Sequence, residues 1–171
     1  MFEPIREAFD GVIRRLRFLD YESPALDSIE AGLLTQVLDL EVGGHVLGIT
    51  DAELVDDSGT DFFRFMFGGK DRRNHVAVVS TRRISMYDPQ RVAARLLKIS
   101  LHELGHNFGL VHHYSFVSVD QGGCCPMSKG DFNRHGERGY LRSVIDARGL
   151  HFCDSCRAFM RKVHATSPPG G

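Results

Sequence analysis

No apolar run in the sequence is long enough to span a bilayer, so a transmembrane helix is not expected. The opening residues, MFEPIREAFDGVIRRL, are charged throughout. They lack an apolar h-region and a small-residue cleavage site and do not read as a secretory signal, so the expected location is cytoplasmic. Charge of one sign is also missing: 21 Lys and Arg against 22 Asp and Glu leave a net charge of -1. That balance argues against bulk attraction to nucleic acid or to an anionic membrane, and neither partner is expected. Cysteine is sparse, four in 171 residues, as an adjacent pair (Cys124, Cys125) and a CxxC (Cys153, Cys156). In a reducing compartment such residues read as metal ligands or buried thiols rather than disulfides.

Internal repeats and interdomain linkers are absent as well. With 42% hydrophobic and 25% charged residues the composition is that of a globular chain able to bury a core. A single domain over residues 1–171, expected as a monomer, is predicted: a sheet and helix region to about 112, a C-terminal part over about 113–163, and a flexible tail over 164–171.

Residues 5–17 read as a helix and 15–23 as a strand. Leu26, Ile29, Leu33, Val37 and Leu40 recur as one helical stripe, with Asp27 or Ser28 at the start and Gly43-Gly44 at the end. HVLGIT (45–50) reads as a buried strand, and FFRFMFGG (62–69) and HVAVVSTRRI (75–84) as two strands that pair. The best-marked helix has Asp88 as cap, Pro89 in the first turn and an apolar stripe of Ala93, Leu97, Leu101, Leu104 and Phe108, with Gly109 as the stop. VSVDQGG reads as a loop, and FCDSCRAFMRKV as a helix opening on the CxxC. The order of elements predicts an α/β (α+β) fold, a twisted mixed sheet with helices packed on it.

The best-marked helix carries HELGHNFGLVHH, residues 102–113. Histidines at i and i+4 share one helix face and can share one zinc ion, which makes His102 and His106 ligands. Glu103 projects beside them, where it can take a proton from zinc-activated water as a general base. A straight helix cannot supply a third ligand, but a turn at Gly109 brings His112 back. Three imidazoles leave one tetrahedral corner for water, the catalytic arrangement.

The extended pattern HExxHxxGxxH resembles that of the metzincin zinc metalloproteases. The string CCPM, with Met127 as the methionine of a tight turn, is similar to the archaemetzincins in particular. In that family the third histidine is followed by a cysteine, then CxM, then CxxC, and those cysteines hold a second zinc. Here Cys125-Pro126-Met127 matches CxM and Cys153-Asp154-Ser155-Cys156 matches CxxC, while VLGITDAEL, FMFGG and VAVVSTRRIS resemble the family's core strands. The likeness covers roughly residues 25–160, with longer stretches from His113 to Cys125 and from Met127 to Cys153.

The resemblance implies a compact metzincin-like domain with two zinc ions, one catalytic and one structural, acting on a peptide or protein substrate. It also implies that the strand around FRFMFGG is the edge along which the peptide lies. His113 stands where the family has its first cysteine and would close a Cys₃His site with Cys125, Cys153 and Cys156. Two other readings stay open: Cys124 as the fourth ligand, or His113 as a solvated loop residue. A zinc-stabilised binding or scaffolding protein with little turnover is the alternative function. HGE (135–137) followed by FCDSC imitates a zinc deaminase signature, but Phe152 replaces the proline before the first cysteine and that reading leaves the histidine string unexplained.

Overall fold

The computed structural model describes residues 2–9, 27–42, 44–56, 64–70, 75–120 and 122–164. The expected strand over 15–23, the later part of the first helix and the tail beyond 164 lie outside them. The chain divides into two compact units, Asp20–Phe108 on one side and Met1–Leu19 with Gly109–Gly171 on the other. The division falls at the end of the histidine-bearing helix and groups the first residues with the C-terminal part.

The first helix, α1 (Phe2–Ala8), belongs to the second of these units. The Asp20–Phe108 unit opens with a short strand, β1 (Ser28–Glu30), then α2 (Ala31–Glu41). The expected helix start at Asp27 or Ser28 is therefore corrected. Ser28 to Glu30 pair in parallel with β3 (Glu53–Asp56), and the helix is capped by Glu30, whose carboxylate accepts from the amides of Gly32 and Leu33. The stripe is corrected too. Leu33, Val37 and Leu40 are exposed, Leu40 at 85%, while Leu34 and Leu38 pack on Leu54, Val78 and Ala31. Both sets recur at helical spacing, and only the neighbouring strands decide which of them faces inward.

Seven residues, 64–70, lend three to each of two sheets. β4 (Arg64–Met66) pairs antiparallel with β3, which gives the order β1-β3-β4. After Phe67, β5 (Gly68–Lys70) pairs antiparallel with β6 (Val76–Ser80), which also pairs in parallel with β2 (Val46–Thr50), giving β2-β6-β5. The expected strand pairing thus holds for β5 and β6, but the front of the aromatic segment joins the other sheet. Both sheets mix parallel and antiparallel pairs. β6 is central in its order and buried at all five positions, which suits its uninterrupted VAVVS.

After β6 the unit closes with α3 (Arg82–Met86), a 3₁₀ turn (Pro89–Arg91) and α4 (Val92–Asn107). Asp88 does not cap this helix. It sits in the left-handed region (φ 51°), and its carboxylate meets the guanidinium of Arg95 at 3.3 Å. Arg95 is fully buried and also donates to the Tyr87 carbonyl at 2.6 Å. The expected apolar stripe shifts accordingly: Ala93 is exposed and Leu97 half-buried, while Leu96, Ile99, Leu101 and Leu104 are buried.

In the other unit β7 (Ser118–Val119) and β8 (Gly123–Cys124) form a small hairpin where a loop was expected. α5 (Phe132–Tyr140) kinks at Gly136 and runs into a π turn (Leu141–Ile145). α6 (Asp154–His164) begins directly after Cys153, as the sequence predicts. Ile5, Phe9, Met127, Leu141, Val144, Phe152 and Met160 are buried in this unit, with the Phe9 and Phe152 rings edge to face at 5.1 Å.

Candidate metal centres

His102, Glu103 and His106 are all buried on the last turns of α4, where long polar side chains are costly to desolvate unless they have a task. The two imidazoles lie one turn apart, ring centroids 4.8 Å, nearly perpendicular. Two features not read from the sequence hold this end of the helix. Asn107 donates through Nδ2 to the carbonyls of Val46 and His75, both at 3.2 Å, tying α4 to the start of β2 and β6. His45 stacks on Phe108 at 4.6 Å and 8°.

Glu103 reaches toward β5. A Cβ added at Gly68 would stand 2.8 Å from its Cγ and 2.9 Å from its Oε1. The carboxylate therefore lies against bare backbone on a strand that pairs with β6.

Gly109 stops α4 with φ 84°, a conformation that favours glycine. His112 and His113 follow in the other unit, each half-buried. His113 is fixed by backbone pairing: its amide donates to the Met127 carbonyl, and the Lys129 amide donates to its own carbonyl, both at 2.9 Å. The segment it pairs with begins in a tight turn, closed by the Ser128 amide donating to the Cys125 carbonyl at 2.9 Å. Met127 is wholly buried on that turn.

The same turn presents Cys125. The ligand atoms of His113, Cys125, Cys153 and Cys156 all lie within 4.8 Å of one another. His113 Nε2 is 3.2 Å from Cys156 Sγ and 3.3 Å from Cys153 Sγ, and the Cys125 and Cys156 sulfurs are 3.9 Å apart. All four cysteines are free thiols. Two sulfurs on a tetrahedral zinc at about 2.3 Å stand roughly 3.8 Å apart, so the set fits a closed zinc site as it stands. The hydrogen bond between the Cys125 and Cys156 thiols, helped by the Cys153 amide, draws the Cys125 thiol down to about 5. That same hydrogen bond and burial hold Cys156 up. One member of the set is thus already prone to be a thiolate, the form that binds metal. Cys124 lies outside this group, half-buried in β8, its backbone bonded to Ala147 and Gly149.

No protein-family model matches the chain. An archaemetzincin from Aeropyrum pernix is 33% identical over 118 residues, 68% of this chain and 52% of that protein. The crystal structure of an archaemetzincin from Methanopyrus kandleri superposes with TM-score 0.57 at 28% identity, covering 80% of this chain and 66% of the other. A zinc-dependent peptidase from Methanocorpusculum labreanum shares the fold, with TM-score 0.55 at 20% identity over 92% of this chain and 91% of that one. The class is therefore a mixed α/β protein whose buried His-Glu-x-x-His helix packs against a small mixed sheet. Over the matched residues the chain is an archaemetzincin homologue. It spans about half the length of the curated relatives it matches.

Proposed function

We propose that this chain is a zinc-dependent peptidase in which His102, His106 and His112 hold a catalytic zinc. The observation that carries the reading is the buried His102–Glu103–His106 turn of α4, in a chain homologous to archaemetzincins. The three histidines come from the single stretch 102–112, at the spacing HExxHxxGxxH. A bound zinc would supply Lewis acidity and lower the pKa of water at its open corner to about 7.

The chain's own residues do the rest. His102 and His106 fix two donor directions from one rigid helix turn. Glu103, with no place among the donors, takes the proton of the attacking water and passes it to the leaving amine. β5 ends the order β2-β6-β5 among the described residues, and an extended substrate peptide would add to that edge by main-chain hydrogen bonds. His113, Cys125, Cys153 and Cys156 would hold a second, structural zinc that ties the Cys125–Ser128 turn to the start of α6. Met127 on that turn corresponds to the methionine of the metzincin pattern. The working form in this reading is a cytoplasmic monomer. No helix among the described residues is long and apolar enough to cross a membrane.

The test is zinc content and peptide cleavage on one sample. Two zincs per chain and chelator-sensitive turnover, restored by zinc, are expected. Two bound zincs without turnover on a mixed peptide library would instead favour the binding or scaffolding reading.

A further inference from the structure

We infer that Gly68 is a positioning residue for Glu103: its missing side chain leaves the space in which the carboxylate stands. The inference rests on the peptidase reading for its catalytic consequence, but its geometry does not depend on a metal. Gly68 opens β5 and sits opposite Val79 in the antiparallel ladder, and the neighbouring Phe67 carbonyl accepts from the Ser80 amide at 2.9 Å. The strand is therefore held at this point and cannot retreat freely.

The backbone at Gly68 does not itself demand glycine, because it is not among the positive-φ positions. What demands it is space. A methyl there would lie 2.8 Å from Glu103 Cγ, 2.9 Å from Oε1 and 3.0 Å from Cδ, inside ordinary contact distance for all three atoms. Glu103 is itself buried, and its own backbone is fixed in α4, so its side chain has little room to yield. A larger residue at 68 must turn the carboxylate away from its place or push β5 from α4. Either change moves the proton acceptor relative to the histidines one residue before it and three after it.

A double-mutant cycle tests this by thermal melting of the zinc-loaded chain, with kinetics on the same samples beside it. Gly68→Ala should lower the melting temperature by about 3 °C or more in the wild-type background, the range expected for overpacking a buried contact. In the Glu103→Ala background the opposing atoms are gone. There the same substitution should be neutral or slightly stabilising, since alanine costs less chain entropy than glycine. If Gly68→Ala alone does not fold, the double variant should.

In the kinetics, Gly68→Ala should lower kcat by about tenfold or more at unchanged zinc content, with KM within about twofold, because a misplaced base acts on the chemical step. An equal loss of melting temperature in both backgrounds would overturn the inference, as would an unchanged kcat. Zinc-loaded wild-type protein without turnover would sink the peptidase reading, while the cycle would still decide whether Gly68 makes room for Glu103.

Discussion

The histidine pair of α4 and the cysteine-rich cluster of the other unit are assembled from very different amounts of chain. His102 and His106 need one turn of one helix. The second set draws His113, Cys125, Cys153 and Cys156 from a bridge, a tight turn and a helix start spread over more than forty residues. Their chemistry differs in the same sense. Neutral imidazoles with a corner to spare suit an ion that works on a substrate, whereas three thiols and an imidazole satisfy a zinc completely. In the proposed reading, loss of the first metal should leave the fold in place. In the second, the binding energy of a bound zinc would be folding energy, because the ion would join the turn at Cys125 to the start of α6.

The largest effect that should separate the two comes from Glu103. Glu103→Gln keeps the shape and removes the base, so peptide hydrolysis should fall by at least about 10²-fold with zinc content and circular dichroism unchanged. Near-normal turnover by the purified variant would remove Glu103 from the chemistry.

The converse change is Cys153→Ser. It should release the second zinc and lower the melting temperature by roughly 10 °C, the scale expected when a structural metal is lost from a domain of this size. Retention of two zincs per chain would show that the cluster is not a metal site.

His113 gives a finer cut. His113→Ala leaves three ligands and should weaken the second zinc, with a fall in melting temperature of about 5 °C. His113→Cys keeps the ligand count and should hold both ions. Loss of activity in His113→Ala with both zincs bound would instead place His113 in catalysis.

The smallest effect belongs to Cys124, whose thiol stands apart from the cluster. Cys124→Ser should shift stability by no more than about 0.5 kcal/mol and leave metal content alone. Loss of one zinc in this variant would transfer the fourth-ligand role from His113 to Cys124.

The reach of sequence reasoning follows the same division. The α4 histidines, their glycine stop and the start of α6 at the CxxC all rest on spacings of a few residues, and the structure has them where those spacings put them. Reading failed where two faces of a helix were both plausible. α2 carries leucines on two stripes, and the side that packs was settled by Leu54 and Val78 from strands far along the chain. It failed again in α4, where Ala93 was expected inside and is exposed, while Arg95 is buried with Tyr87 and Asp88 meeting its guanidinium.

By itself, then, the sequence determined the ligand types, the helix that aligns His102 with His106, and the turn at Gly109, because a helix repeats every 3.6 residues and glycine tolerates positive φ. Tertiary structure alone decided that Gly68 borders Glu103, and that His113 rather than Cys124 stands with Cys125, Cys153 and Cys156. The physical reason is range. A residue's neighbours within one helical turn are fixed by local geometry, whereas neighbours tens of residues away are fixed only when strand register and burial have been resolved together.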